Sequence, residues 1–493
     1  MKSLDPTAFA RRLSILLLPL VATAMAAVPT ETRADAKLAR VFGNSMVLQR
    51  DREVPVWGTA AAGEEVKVTL GKQSHTIKAG RDGRWRVKLS AMPAGGPHEL
   101  VIQAANTLRV QDVLFGEVWL ASGQSNMAMT VGRCRDAQAE QAAADYPQLR
   151  MFTVKRTAVL KPASDCQGSW QVCSPGTVAG FSAAAYYFGR RLHKELGVPV
   201  GLINSSWGGT AIEAWTSLEV QKQDTRFAAV FAPWKNKPEP NRNKPANLFN
   251  GMIQPLVGYG IRGAIWYQGE RNSRTIASSR LYRHQLPLLI RDWRKRWGQG
   301  KGQGANFPFV WVQLPNFKAR QADPNLVTTW AVMRESMQLG LKEPATAMAV
   351  TIDIGEARDI HPKNKQDVGH RLAQAALAVA YKKEVVAMGP LLRSVTIEDT
   401  RVRVQFDHVG TKLVVRGKDQ AVKGFALAGP DRVFHLAEAR VEGKTVVVES
   451  RLVGDPIAVR YAFGDNPAVN LYNSAGIPAA PFRTDDWEPP AAR

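Results

Sequence analysis

GEVWLASGQSNMAM, Gly116 to Met129, decides how the rest of the chain is read. Val118, Trp119, Leu120 and Ala121 form an apolar run of the kind that makes a buried strand. Ser122 and Gly123 follow as a turn, which puts Ser125 at the start of a helix. Free backbone N–H groups and the positive end of a helix suit a nucleophile that must carry developing negative charge, so Ser125 is the candidate nucleophile. Serine also caps helices with no chemistry attached. The familiar hydrolase elbow G-x-S-x-G is not met, because Met127 stands where the second glycine belongs. The pattern points to a different serine-hydrolase geometry.

Downstream of this stretch, strand and helix patterns alternate, which predicts an α/β domain: a parallel sheet with helices on both faces, over residues 114–388. Phe181 to Leu196 reads as a helix and Val198 to Ile203 as the next strand. Trp207, Gly208 and Gly209 follow that strand. Glycines at a strand end let backbone N–H groups approach a ligand, so Gly208 and Gly209 are oxyanion-hole candidates; an ordinary glycine turn is the competing reading. Gly263 to Tyr267 is a further strand, and Gln268, Glu270 and Asn272 fall just past it, at the carboxyl edge where such sheets bind ligands. Gln268 is expected to donate its amide to an oxyanion. Glu270 is expected to brace a loop from behind, or to be a solvated loop carboxylate. Strands at Pro308–Gln313 and Ala347–Ile352 lead to the loop that holds His361, the best base among eight histidines. His193, His284 and His370 sit in helical patterns and read as structural or exposed.

Residues 38–113 carry short alternating segments such as Glu65–Leu70 and Trp85–Leu89 separated by turn signals, and predict a small β-sandwich. Residues 391–493 return to β character and predict a second one. Lys2, Arg11 and Arg12 precede the apolar run Leu13–Val21, and Ala24-Met25-Ala26 supplies a cleavage site. This predicts a signal peptide over residues 1–26 and an exported product, periplasmic or extracellular, with no membrane segment after its removal. The formal net charge is +22. Lys and Arg are scattered and no nucleic-acid module is recognisable, so nucleic acid is not an expected partner. The densest cluster, Arg291 to Trp297, reads as one exposed cationic helix face. The three cysteines lack metal-site spacing; in an exported protein Cys166 and Cys173 are one pair that would close a short loop, leaving Cys134 unpaired, and a pairing that involves Cys134 is the alternative, since spacing alone does not set connectivity. Trp215, Trp266 and Trp293 read as core, and Trp207 as a sugar-stacking candidate. The Pro-, Lys- and Asn-rich stretch 231–247 reads as a mobile loop placed to overhang the substrate.

Four motifs in order carry a resemblance: GQSNM at Gly123–Met127, INSSWGGTAIEAW at Ile203–Trp215, WYQGERN at Trp266–Asn272 and DIHPKNKQDVG at Asp359–Gly369. Together the chain resembles the sialate O-acetylesterase family of SGNH-type hydrolases. The resemblance implies a serine esterase that removes O-acetyl groups from sugars without metal or organic cofactor. It makes Ser125 the nucleophile, His361 the base, and Gly209 and Gln268 oxyanion donors beside the Ser125 N–H. The family pattern sets an Asp three residues before the His; here only Ile360 separates Asp359 from His361. Asp359 is the choice for the third member, with Glu356, Asp353 or a backbone carbonyl as alternatives. The family name suggests 9-O-acetylated sialic acid. Acetylated xylan or pectin suits an exported hydrolase too, and a non-catalytic glycan-binding scaffold is the reading from a different class.

Overall fold

The computed structural model describes residues 35–298, 306–418 and 420–487. The expected signal peptide lies outside them. The organising element is one 17-residue strand, β1 (Thr107–Gly123). Over Thr107–Asp112 its residues alternate between exposed and more buried positions. From Val113 to Gly123 every residue is buried. That change follows from its neighbours. The first half pairs antiparallel with Gly95–Gln103, leaving one face to water. The second half lies inside a parallel sheet buried on both faces. The strand therefore runs straight through the boundary expected near residue 113.

After β1 come α1 (Ser125–Ala128), β2 (Tyr146–Thr153), β3 (Trp170–Cys173), α2 (Ala183–Leu196) and β4 (Val200–Ser206). The chain continues with β5 (Gly263–Tyr267), α3 (Ile276–Trp297), β6 (Phe309–Val312), α4 (Thr329–Leu339), β7 (Thr346–Ala349) and α5 (Lys365–Tyr381). The sheet order is β3-β2-β4-β1-β5-β6-β7. All pairs are parallel except β3 with β2. Every residue of β4, β5 and β6 is buried, so both faces are covered. Helix α2 packs on α5, and α3 on α4. Trp119 of β1 meets Phe188 of α2 at 5.0 Å between ring centroids. Trp119 pairs in register with Gly263, so Trp266, three residues further along β5, points to the opposite face. There it meets Trp293 of α3 at 5.9 Å. The two helix pairs thus cover opposite faces, and Trp215, Trp266 and Trp293 are fully buried core as read from the sequence.

The flanking β structure is continuous with this core: hydrophobic residues from the first strands to Phe482 form one cluster. On the N-terminal side Glu117, fully buried, accepts from Arg50 (2.6 Å) and Arg262 (2.7 Å). On the C-terminal side lie two four-stranded sheets, and Arg334 of α4 ties the Gly464–Asp465 segment to the core. Its buried guanidinium donates to the carbonyls of Leu314, Pro315, Gly464 and Asp465 at 2.6–2.9 Å. Two sequence expectations are corrected. The three cysteines are separate, buried free thiols, so Cys166 and Cys173 do not form the short-loop disulfide. The cationic stretch Arg291–Trp297 is not one exposed face: Arg294 is buried and donates to the carbonyls of Phe307 and Pro344, while Trp293 and Trp297 are core.

Candidate active site

Three neighbouring strands, β4, β1 and β5, end side by side, and each delivers its next residues to the same edge of the sheet. Gly123 ends β1 at φ +137°, and a Cβ there would sit 2.1 Å from the Tyr267 carbonyl oxygen. Only glycine allows this approach. The Gln124 N–H then donates to the same Tyr267 carbonyl (2.9 Å), which fixes where the chain turns into α1. Ser125 is the first residue of α1 and is half-buried. The Trp207 N–H donates to the Gly123 carbonyl (3.1 Å), pulling the loop after β4 onto the serine turn. A Cβ on Gly208 would lie 3.3 Å from that of Ser125, and Gly209 holds φ +71°. Among the described residues, the backbone N–H groups of Ser125, Gly208 and Gly209 donate to no protein acceptor.

Ser125, Trp207, Gly208 and His361 line one cavity of about 240 Å³, together with Met129, Arg133, Arg156 and Arg242. Arg242 comes from the 231–247 loop. A larger cleft of about 740 Å³, between the 320–324 loop and the C-terminal strands, contains none of these groups. The imidazole of His361 lies 3.3 Å, Nδ1 to Oδ1, from Asp359. Asp359 also accepts from the His361 backbone N–H (2.9 Å), and that bond is the chief reason its carboxyl sits below the ordinary range. The alternatives are engaged elsewhere: Asp353 holds Arg371 at 2.5 and 2.9 Å, and Glu356 accepts from the Lys363 N–H (2.8 Å). Among the described residues, Ser125 and His361 share the cavity without a direct hydrogen bond between them. Such contacts commonly tighten only when substrate is present.

Gln268 differs from expectation. It is completely buried, and its amide nitrogen already donates to Asn272 Oδ1 (2.7 Å) and the Thr210 carbonyl (3.0 Å), with Gln124 Oε1 at 3.3 Å. With both amide protons engaged, it holds the Trp207–Thr210 loop from behind rather than facing the cavity. Asn272 stands in the same layer. Its oxygen accepts from the Ile212 N–H (3.1 Å), and its nitrogen donates to the buried carboxyl of Glu213 (2.8 Å). Glu270 is buried, as the bracing reading requires, and accepts from Asn126 Nδ2 (2.6 Å). Burial raises its carboxyl above the ordinary range. Among the described residues no group of His, Cys, Asp and Glu is arranged to hold a metal ion.

Five residues of the site were not singled out in the sequence: Asn126, Lys365, Arg133, Arg156 and Arg242. Lys365 carried one legible signal, since a cation at the first position of a helix opposes the helix dipole. The arginines come from three separate segments, and nothing local marks them.

A sheet edge that gathers a helix-leading serine, a histidine beside a carboxylate and unengaged N–H groups holds the kinds of group that ester hydrolysis calls for. Residues 115–378 match the model of a family described as carbohydrate esterase, sialic acid-specific acetylesterase. The chain is 32% identical to the sialate O-acetylesterase of Rattus norvegicus over 90% of its own length and 94% of that protein. It is 33% identical to the sialate O-acetylesterase of Homo sapiens, covering 90% and 92%. Among solved structures, a carbohydrate acetylesterase from Xanthomonas citri superposes with a TM-score of 0.84 at 40% identity, covering 92% of this chain and all of that one. The chain belongs to the sialic acid-specific acetylesterase family of carbohydrate esterases, and is a carboxylic ester hydrolase.

Proposed function

We propose that this protein is an exported serine esterase that removes O-acetyl groups from an anionic sugar, O-acetylated sialic acid in the first instance, through an acetyl-serine intermediate. The observation that carries the mechanism is the shared cavity of Ser125 and His361 beside unengaged backbone N–H groups. His361 takes the hydroxyl proton as Ser125 attacks the acetyl carbonyl. The N–H groups of Ser125 and of Gly208 and Gly209 receive the oxyanion. His361 then protonates the departing sugar alcohol, and water repeats the cycle on the acetyl-enzyme, releasing acetate. Asp359, 3.3 Å from the imidazole Nδ1, contributes to orienting it. Trp207 offers a partly exposed ring to the sugar.

The substrate class rests on Arg133, Arg156 and Arg242. Three guanidinium groups around one small cavity favour a carboxylate-bearing sugar over a neutral one. Export rests on the N-terminal leader pattern; no helix among the described residues is long and apolar enough to cross a membrane. The test is hydrolysis of 4-nitrophenyl acetate by mature protein beside Ser125→Ala, with acetate release from O-acetylated sialic acid, acetylated pectin and acetylated xylan. Turnover that disappears in Ser125→Ala, with the acidic sugars preferred, is the expected result. Preference for xylan moves the substrate to neutral plant polysaccharides. Inertness on all four, or an alanine variant as active as wild type, leaves a glycan-binding scaffold.

A further inference from the structure

The following inference rests on Ser125 and His361 being the reacting pair. Lys365, the first residue of α5, is completely buried. Its ammonium donates to Asn126 Oδ1 (2.7 Å) and to the Pro362 carbonyl (2.6 Å). The Asn126 amide nitrogen donates to Glu270 Oε1 (2.6 Å) and to the Ile360 carbonyl (2.9 Å). The ring of Tyr267 lies 5.4 Å from the ammonium. Side chains from α1, from α5 and from the turn after β5 thus converge on the carbonyls of the two residues that flank His361.

An ammonium with no access to water is costly, and the positive end of a helix adds to the cost. Burial pushes Lys365 down to about 7, opposed by the charges of Glu270, Glu356 and Asp359 that face it and by nearby Cys134. Glu270 Oε2 has no hydrogen-bond partner among the described residues, and across the one Asn126 amide the charges of Glu270 and Lys365 each favour the other's charged form. The carboxylate expected to orient the base is poorly placed to do so alone. In the Asp359–His361 contact the side chains are 47% and 36% exposed, and an exposed contact of that kind is weakened by water and salt.

We infer that Lys365 and Glu270, coupled through the Asn126 amide, are positioning residues for His361: they fix the chain on both sides of the base and supply the orientation that a buried triad carboxylate would otherwise give. Lys365→Met alone strands Glu270 in the interior, so it is paired with the double variant Glu270→Gln/Lys365→Met, which removes both charges. On 4-nitrophenyl acetate the double variant is expected to keep a thermal midpoint near that of wild type while kcat falls about 100-fold and KM stays within about twofold. Amide hydrogen exchange is expected to accelerate in residues 359–364 alone. Asp359→Asn, on an exposed side chain, is expected to lower kcat by no more than about tenfold. A double variant with wild-type kcat and wild-type exchange overturns the inference. So does an Asp359→Asn loss on the order of 10⁴, the size seen when a serine protease loses its buried triad aspartate. If the double variant does not fold, Asp359→Asn decides. Failure of the esterase reading is seen separately, as wild-type protein without Ser125-dependent turnover, and the exchange measurement still reports on the clamp.

Discussion

At the scale of single residues, the layer behind the cavity is built from polar groups whose interior placement has a measurable cost. Glu213 is the clearest case. Burial raises its carboxyl above the ordinary range, and among the described residues no cation offsets this; hydrogen bonds from Asn272, its own backbone and Gln285 only moderate it. A folded-state pKa above the unfolded value means that between the two the folded protein holds a proton the unfolded chain has released. The stability contributed by the neutral carboxyl is therefore present below about pH 4.3, the unfolded value, and is lost as pH rises through the folded one. Glu213→Gln keeps an acceptor for Asn272 and cannot ionise. It is expected to raise the melting temperature at pH 7.5 and to leave it unchanged near pH 4, read by thermal unfolding of both proteins across that range. An equal shift at both pH values would remove ionisation of Glu213 as the cause. The same layer explains what sequence reading missed at this scale. The position of Gln268 past a strand was legible, but which way its amide donates depends on Thr210 and Asn272, and Thr210 lies far from it in the chain.

At the scale of elements, the strand endings at Gly123, Ser206 and Tyr267 set the geometry; the sequence reading placed the last at its residue but ended the other two early, at Ala121 and Ile203, because the small and polar residues that follow look like turns yet continue the sheet pairing. The predicted strand Gly263–Tyr267 matches β5 residue for residue. The helix expected from Phe181 begins at Ala183 because Ser182 caps it, accepting from the Ala185 N–H (3.2 Å). The continuity of β1 was not legible as one element. Its alternating half and its fully buried half carry two different periods, and only pairing with Gly95–Gln103 on one stretch and with β4 and β5 on the other makes them one strand. Gly123 tests this geometry. Alanine there faces both φ +137° and a carbonyl oxygen 2.1 Å from its Cβ. The strain, on the order of 3 kcal/mol, is expected to lower the melting temperature and to abolish esterase turnover in whatever fraction folds. An alanine variant with wild-type stability and rate would mean that the serine turn tolerates another path.

At the scale of the whole molecule, charge distribution bears on substrate choice. The chain carries +22 formally, and three of its arginines surround the cavity that holds Ser125 and His361. A positive cleft raises the local concentration of anions and steers them inward, and salt screens both effects because the Debye length shrinks from about 10 Å at 0.1 M to about 3 Å at 1 M. Neutral esters gain nothing from this field. With O-acetylated sialic acid, kcat/KM is therefore expected to fall as ionic strength rises, chiefly through KM, while kcat/KM for 4-nitrophenyl acetate stays nearly level. Arg133→Gln, Arg156→Gln and Arg242→Gln, on exposed side chains, are each expected to fold normally and to flatten part of the salt dependence. Because the three come from separate segments, no one replacement should remove it all, whereas the triple variant should make the acidic and neutral substrates respond alike. If the acidic sugar shows no salt dependence in the wild type, the arginines do not read its carboxylate, and the cavity accepts its substrate through the acetyl group and the Trp207 ring instead.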